Sequence, residues 1–327
     1  MTTSAVSGLR PDRQPGKPPL LRLESAVDRR AIRAFVAEHG SLLIRGLGLH
    51  DAAGAERVFR QLGHLMPEKE AFAPRDRYAQ GVYSASKWPP TQQMCMHHEL
   101  SYVHEPPSLM LFACVMPPAA GGATPVADAA AVLEALPPEL VERFARLGWM
   151  LVRNYHDDIG ASLADAFGTD DRNTIERYCR KHEIRFEWQD GGSSAALRTW
   201  QHRPAIVPHP LTGRRCWFNQ VAFLSEWTLA AELREYLVEV YGADGLPFNT
   251  RFGNGDPIEP DVIQLINEVY EAHTVREPWQ AGDLMLVDNL RTAHGREPFE
   301  GSREVLVAMA DVVHLADCSP TIKVTAS

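Results

Sequence analysis

Short apolar runs of strand length are scattered from one end of the chain to the other, with helical patterns clustered between them. This distribution limits the fold more than any other feature. A parallel α/β sheet needs strands and helices in regular alternation, and that rhythm is missing. The pattern fits a mostly β protein with flanking helices, a β-sandwich or jelly roll wrapped by helices. Its clearest strand lies at 108–116, an unbroken apolar run from Leu109 to Val115 with the length and character of a buried core strand. Further strands are expected at 41–46, 81–86, 204–207, 215–218, 283–287 and 304–313.

The helices declare themselves by spacing and by caps. Ile32, Phe35 and Val36 recur at helical spacing between Asp28 and Gly40, and Asp51 caps a second helix striped by Val58, Phe59 and Leu62. Asp128 opens a helix that breaks at Pro137-Pro138 and continues over 139–147. The stretch 157–183 reads as two polar-faced helices, and further helices are expected at 229–240 and 260–273. The expected organisation is a disordered tail over 1–20, then one domain over 21–327 with a helical insertion around 128–190.

Composition sets outer bounds. With 33 basic against 42 acidic residues the net charge is −9, which argues against a nucleic-acid or anionic-membrane partner. No apolar run approaches the ~18 residues of a membrane span, and residues 1–19 lack the apolar centre of a secretory signal, so a cytoplasmic protein is expected. Cys95, Cys114, Cys179, Cys216 and Cys318 are scattered, which suits reduced thiols better than a disulfide frame or a zinc knuckle.

The stretch with chemistry in it is Met96-His97-His98-Glu99-Leu100-Ser101-Tyr102. At the end of a strand, alternation would point His97 and Glu99 the same way and His98 the other. Joined by a distant histidine, the pair would make a two-histidine, one-carboxylate site that holds Fe(II) and leaves positions open for dioxygen. Spacing alone decides nothing, because 13 His and 42 acidic residues in 327 produce about two such pairs by chance. The chain has two; the other, His156 and Asp158, lies in an Asp- and Gly-containing stretch that reads as a loop or helix start.

Five segments in register move the balance: Leu43-Ile44-Arg45-Gly46, His97 to Tyr102, Gly121-Gly122-Ala123-Thr124, Trp217-Phe218-Asn219-Gln220, and Gly282-Asp283-Leu284 through Asp288-Asn289 to His294-Gly295-Arg296. Together they resemble the Fe(II)/2-oxoglutarate dioxygenases of the TauD/TfdA family, and within it the amino-acid hydroxylases related to clavaminate synthase and the syringomycin-type enzymes. The resemblance implies a double-stranded β-helix, Fe(II), 2-oxoglutarate and O2, and His97, Glu99 and His294 as iron ligands. It also implies that Arg303 and Thr124 hold the distal carboxylate of 2-oxoglutarate, a role for which a permanently charged planar guanidinium is apt. Taurine- and herbicide-type members carry a second Arg for the substrate's sulfonate or carboxylate, and this chain has Val307 there.

The expected substrate is therefore a small molecule, an amino acid that is free or tethered to a carrier protein, hydroxylated at an unactivated C–H. The alternatives are a catabolic sulfonate or aryloxy-acid dioxygenase, or a desaturase of the same family. A halogenase of this fold would replace the acid by Ala or Gly, which Glu99 opposes. A non-enzymatic β-sandwich binding protein would have no reason to keep both a ligand triad and a carboxylate clamp. Tyr102, Asn219 and Gln220 are candidate substrate contacts, since a polar pair in an otherwise apolar strand must either satisfy neighbouring backbone or face a ligand.

Overall fold

The computed structural model describes residues 9–23, 28–67, 75–85, 88–189 and 195–322. Its largest element is a seven-stranded sheet in the order Leu20–Arg22, Ser41–Arg45, Leu284–Asp288, Pro107–Met116, Glu304–Val312, Val82–Ser84, Arg77–Ala79. All neighbours are antiparallel except the first pair. A four-stranded sheet, in the order Thr274–Val275, Val126–Asp128, Thr292–Arg296, Met94–His97, shares its core. These two sheets form the jelly roll.

The unbroken apolar run of Pro107–Met116 follows from burial on both faces. Leu109, Leu111 and Ala113 pack with Leu284, Leu286, Leu306 and Ala308 against the helices Arg29–His39 and Ala52–Leu62. Met110, Phe112 and Cys114 point the other way, with Met285, Val287, Val305 and Val307, into the space between the sheets. Period-two alternation thus gives one strand two cores. The covering helices begin where the sequence indicates: Asp28 accepts from the Arg30 and Ala31 amides and Asp51 from the Gly54 amide, caps worth ~1 kcal/mol each.

Two expectations need correction. The region 128–190 is not a helical insertion, because Trp149–His156 and Ile184–Trp188 within it join Ala195–Arg203 and Phe248–Phe252 in a second four-stranded sheet. Hydrophobic patterning misses these strands because they bury polar side chains. Asn154 donates to the Asp244 and Leu246 carbonyls, and Arg203 donates to those of Tyr102 and His182. Residues 9–20 are not a loose tail: Asp12 bridges Leu20, Gly16 O accepts from the Arg276 amide, and Lys17 pairs with Glu277 at 3.0 Å. Residues 1–8 lie outside the described residues. The segment around His294 is the strand Thr292–Arg296.

Candidate functional site

His97 closes the strand Met94–His97, and His294 lies at the centre of Thr292–Arg296, directly opposite it in the antiparallel register. Their ring centroids are 4.5 Å apart. The strand stops at His97, so the pleat does not aim Glu99; a turn does, with Leu100 at φ 52°. A left-handed conformation costs a non-glycine residue roughly 1–2 kcal/mol, offset here by burial of the Leu100 side chain in the core. The turn leaves a Glu99 carboxylate oxygen 3.9 Å from Nε2 of each histidine. One ligand atom from each of the three lies within 4.8 Å of the others.

The surroundings prepare these groups as donors. His97 Nδ1 lies 2.8 Å from Cys95 O; a carbonyl only accepts, so Nδ1 carries the proton and Nε2 keeps its lone pair. Burial pushes both His97 and His294 below the ordinary imidazole pKa, which favours the neutral, ligating form. Phe223 stacks on His97 at 4.5 Å, and the edge of Phe112 meets His294 at 5.2 Å. Two neutral imidazoles and a carboxylate on one side of an apolar chamber fit Fe(II).

Behind the triad, Asn289 pins the turn. Its Oδ1 accepts from the Glu99 amide at 2.8 Å, and its Nδ2 donates to the Glu99 and Pro107 carbonyls, each at 2.9 Å. His98 points away from His97, is fully buried, and bonds through Nδ1 to Asn289 O. Burial lowers its pKa to about 4. The sequence reading assigned no role to Asn289, although an amide just beyond an apolar strand was a usable signal.

Arg303 and Thr124 meet. Arg303 donates from Nε to Gly122 O at 3.0 Å and from Nη2 towards Thr124 Oγ1 at 3.5 Å. Burial, with Arg296 nearby, lowers its pKa to about 10, so it remains a cation at neutral pH. Among the described residues no carboxylate pairs with it, and a half-buried cation with only neutral partners suits an incoming carboxylate. A cavity of about 400 Å³ lies beside it, lined in part by Trp88, Arg296 and Phe299. Gly121 and Gly122 both have positive φ, 67° and 68°, and a Cβ on Gly122 would come within 2.8 Å of Phe299 and Pro118. The Ala123 and Pro125 carbonyls flanking Thr124 bond the Glu297 and Gly295 amides, which ties the clamp to the strand of His294.

The other candidates go elsewhere. Asn219 donates to Ala205 O and accepts from the Val221 amide, and Gln220 donates to His98 O at 2.7 Å. Both lie just beyond the strand Arg215–Trp217, with these bonds on backbone. Tyr102 is buried in the core, and its carbonyl accepts from Gln201 and Arg203. His156 bonds Gly245 O, and Asp158 accepts from the Tyr241 hydroxyl, so that pair forms no site with a third ligand among the described residues. Arg75, which the sequence reading passed over, reaches Glu99: Nη2 is 3.4 Å from both carboxylate oxygens.

Residues 12–309 match the family described as taurine catabolism dioxygenase TauD, TfdA family. The dapdiamide synthesis protein DdaC of Enterobacter agglomerans is 33% identical over 288 residues, covering 86% of this chain and 85% of that protein. A clavaminate synthase-like protein of Arabidopsis thaliana is 29% identical over 303 residues, covering 89% and 87%. Among solved structures, a taurine dioxygenase from Burkholderia xenovorans superposes with a TM-score of 0.55 at 16% identity, over 98% of this chain and 95% of that one. PvcB, an Fe, alpha-ketoglutarate dependent oxygenase from an isonitrile synthetic pathway, gives 0.52 at 16%, over 94% and 93%. At such identity the superpositions speak for the fold.

Proposed function

The chain belongs to the TauD/TfdA family of dioxygenases, and from that premise we propose that it hydroxylates an unactivated C–H bond of an amino acid in a specialised biosynthetic pathway, using Fe(II), 2-oxoglutarate and O2. The observation that carries this reading is the convergence of His97, Glu99 and His294 to within 4.8 Å, in a setting that keeps the histidines neutral. The kinship to a dapdiamide synthesis protein supports the biosynthetic setting and an amino-acid substrate, free or presented on a carrier protein. All five cysteines are free thiols, in keeping with a reducing, cytoplasmic location. Among the described residues no helix is long and apolar enough to cross a membrane.

In this reading His97, Glu99 and His294 would hold the iron. Bound there with 2-oxoglutarate and dioxygen, it supplies an oxidant able to take hydrogen from an unactivated carbon, while 2-oxoglutarate is converted to succinate and CO2. The protein's own contribution is placement. Arg303 and Thr124 fix the far carboxylate of 2-oxoglutarate, Asn289 and Gln220 hold the turn that carries Glu99, and Phe223 and Phe112 keep water from the histidines.

The test is incubation with Fe(II), 2-oxoglutarate and ascorbate against a panel of free amino acids and their carrier-loaded thioesters. Succinate should form in step with a product heavier by one oxygen atom. Turnover of a sulfonate or aryloxy acid, with none of any amino acid, returns the protein to the catabolic side of its family.

A further inference from the structure

One cavity next to the iron site carries no charge. It holds about 570 Å³ and is framed by Trp88, Cys95 and the helix Ala231–Tyr241. Trp88 also lines the cavity beside Arg303, so the two spaces meet at one indole. That ring packs 5.8 Å from the ring of Phe223, which stacks on His97 at 4.5 Å. Cys95 supplies the carbonyl that bonds His97 Nδ1, and Oγ1 of Thr228, also in the lining, lies 3.2 Å from Phe223 O. All three ties lead from the cavity wall to His97.

The lining says what fits. Ile159, Leu229, Leu233, Leu237 and Phe248 provide most of it, Gln92, Gln93 and Thr228 form a polar edge, and no charged side chain among the described residues takes part. The neighbouring cavity is the opposite case, bordered by Asp76, Arg296, Arg303 and Glu304. Leu233 and Leu237 stand four residues apart on one helix and so present one face. Leu237 is buried, but Leu233 is 43% exposed, and Ile159, Leu229 and Phe248 are only half-buried. A single exposed leucine means nothing, whereas several around one concavity leave apolar surface that a ligand can remove from water. A charged group entering here would lose its hydration and find no counter-ion. The volume falls within the ~300–1,000 Å³ of pockets that take drug-sized molecules, well beyond the needs of a glycine or a serine.

We propose that this cavity receives an uncharged apolar group of the substrate, so that the amino acid oxidised bears a large hydrophobic side chain or an acyl group on its nitrogen, a specification that rests on the amino-acid oxygenase reading above. Amino acids with charged side chains are excluded by the same lining. The arrangement sorts the two ligands by their chemistry. The dianionic co-substrate goes to the cavity that holds a guanidinium, the apolar part of the substrate goes to the cavity that holds none, and the Trp88 indole stands where they meet. Seating the apolar group against Trp88 also sets its distance from His97 through Phe223, so the cavity selects which carbon faces the iron as well as which amino acid is accepted.

The test uses the full chain loaded with Fe(II) and 2-oxoglutarate under anaerobic conditions, where nothing turns over. Calorimetry follows two series of probes: free amino acids with straight side chains lengthening from alanine to norleucine, and N-acyl-alanines lengthening from acetyl to hexanoyl. At least one series should gain about fourfold in affinity per methylene, the ~0.8 kcal/mol of a buried CH2 group, and that series identifies which group enters the cavity. Lysine, which adds a terminal ammonium to the norleucine chain, should bind at least tenfold more weakly than norleucine. Leu233→Asp puts a charge on the wall at the third position of its helix, where a carboxylate suits the helix dipole. It should flatten the gain with length while 2-oxoglutarate affinity stays within about twofold. Flat affinity in both series, lysine bound as tightly as norleucine, or an undiminished gain in Leu233→Asp overturns the assignment and leaves the amino-acid reading standing. If the variant does not fold, the two series and the lysine comparison on the unaltered protein decide alone. Absence of binding by every amino acid form, with 2-oxoglutarate still bound, removes the amino-acid reading and this inference with it.

Discussion

His97 and His294 stand directly opposite one another across two antiparallel strands, with ring centroids 4.5 Å apart, although 196 residues of chain separate them. Strand pairing, the most regular interaction in the fold, therefore sets the spacing between the two imidazoles, and only Glu99 depends on a turn. His97→Ala, Glu99→Ala and His294→Ala should each reduce bound iron well below one per chain and abolish 2-oxoglutarate turnover. Far-UV circular dichroism should stay unchanged, because the substitutions leave the strand and turn backbone intact and the one side-chain bond to backbone that His97 loses is local, to Cys95 O. Full iron content and full turnover in either histidine variant would place the metal elsewhere.

The clamp on 2-oxoglutarate can be probed from two sides. Arg303→Ala removes the cation and should raise the 2-oxoglutarate KM by roughly 10- to 100-fold, equivalent to the ~1.5–3 kcal/mol of a charged hydrogen bond. Gly122→Ala leaves the cation but forces a Cβ to within 2.8 Å of Phe299 and Pro118 and 3.2 Å of Arg303 Cδ, at a backbone φ of 68°. Steady-state kinetics should show a higher KM in both, with iron content preserved. An unaltered KM in Arg303→Ala means that another residue grips the co-substrate.

Asn289 should behave as a positioning residue. Its side chain satisfies the Glu99 amide and the Glu99 and Pro107 carbonyls, and leaving a buried group unsatisfied costs ~1–3 kcal/mol. Asn289→Ala should lower the unfolding free energy by an amount of that order and weaken iron binding by about 10- to 100-fold, as loss of an outer support does at other metal sites. Iron titration is the discriminating readout: lost stability with unchanged iron affinity would make the residue a structural tie only.

What the sequence disclosed, and what it withheld, divides along a physical line. Apolar periodicity exposed Pro107–Met116 and the two covering helices, because their partners are apolar and the pattern repeats. It was silent on Trp149–His156 and Ala195–Arg203, where Arg153, Asn154, Gln201 and Arg203 are buried. Contacts far along the chain satisfy such groups, and local composition cannot announce them. The ligand residues were legible as types at a spacing, yet the expected mechanism of convergence was partly wrong, since a turn and not strand alternation aims Glu99. Arg75 carried no local signal at all, for an arginine before an edge strand looks like any solvated charge until the fold brings Glu99 to it.

Two of the segments that appeared separate in the sequence are one interaction in space. Arg45, from the strand Ser41–Arg45, donates to both oxygens of Asp283 at 3.0 and 3.2 Å, and also reaches Glu277 at 3.1 Å and Pro278 O at 2.8 Å. The Arg45 and Asp283 side chains are 7% and 1% exposed, so neither charge can turn to water if its partner is removed. Breaking such a pair typically costs ~3–5 kcal/mol, far more than the pair contributes over well-packed apolar substitutes. Arg45→Met should therefore destabilise the protein by that order in urea unfolding, whereas Arg45→Met combined with Asp283→Leu should lose much less than the two single effects added together. Folded Arg45→Met should still bind iron and 2-oxoglutarate normally, since neither residue touches the triad or the Arg303 clamp. Strictly additive losses in the double variant would show that the two charges act independently, and a collapse of iron affinity at full folding would tie this ion pair to the active site after all.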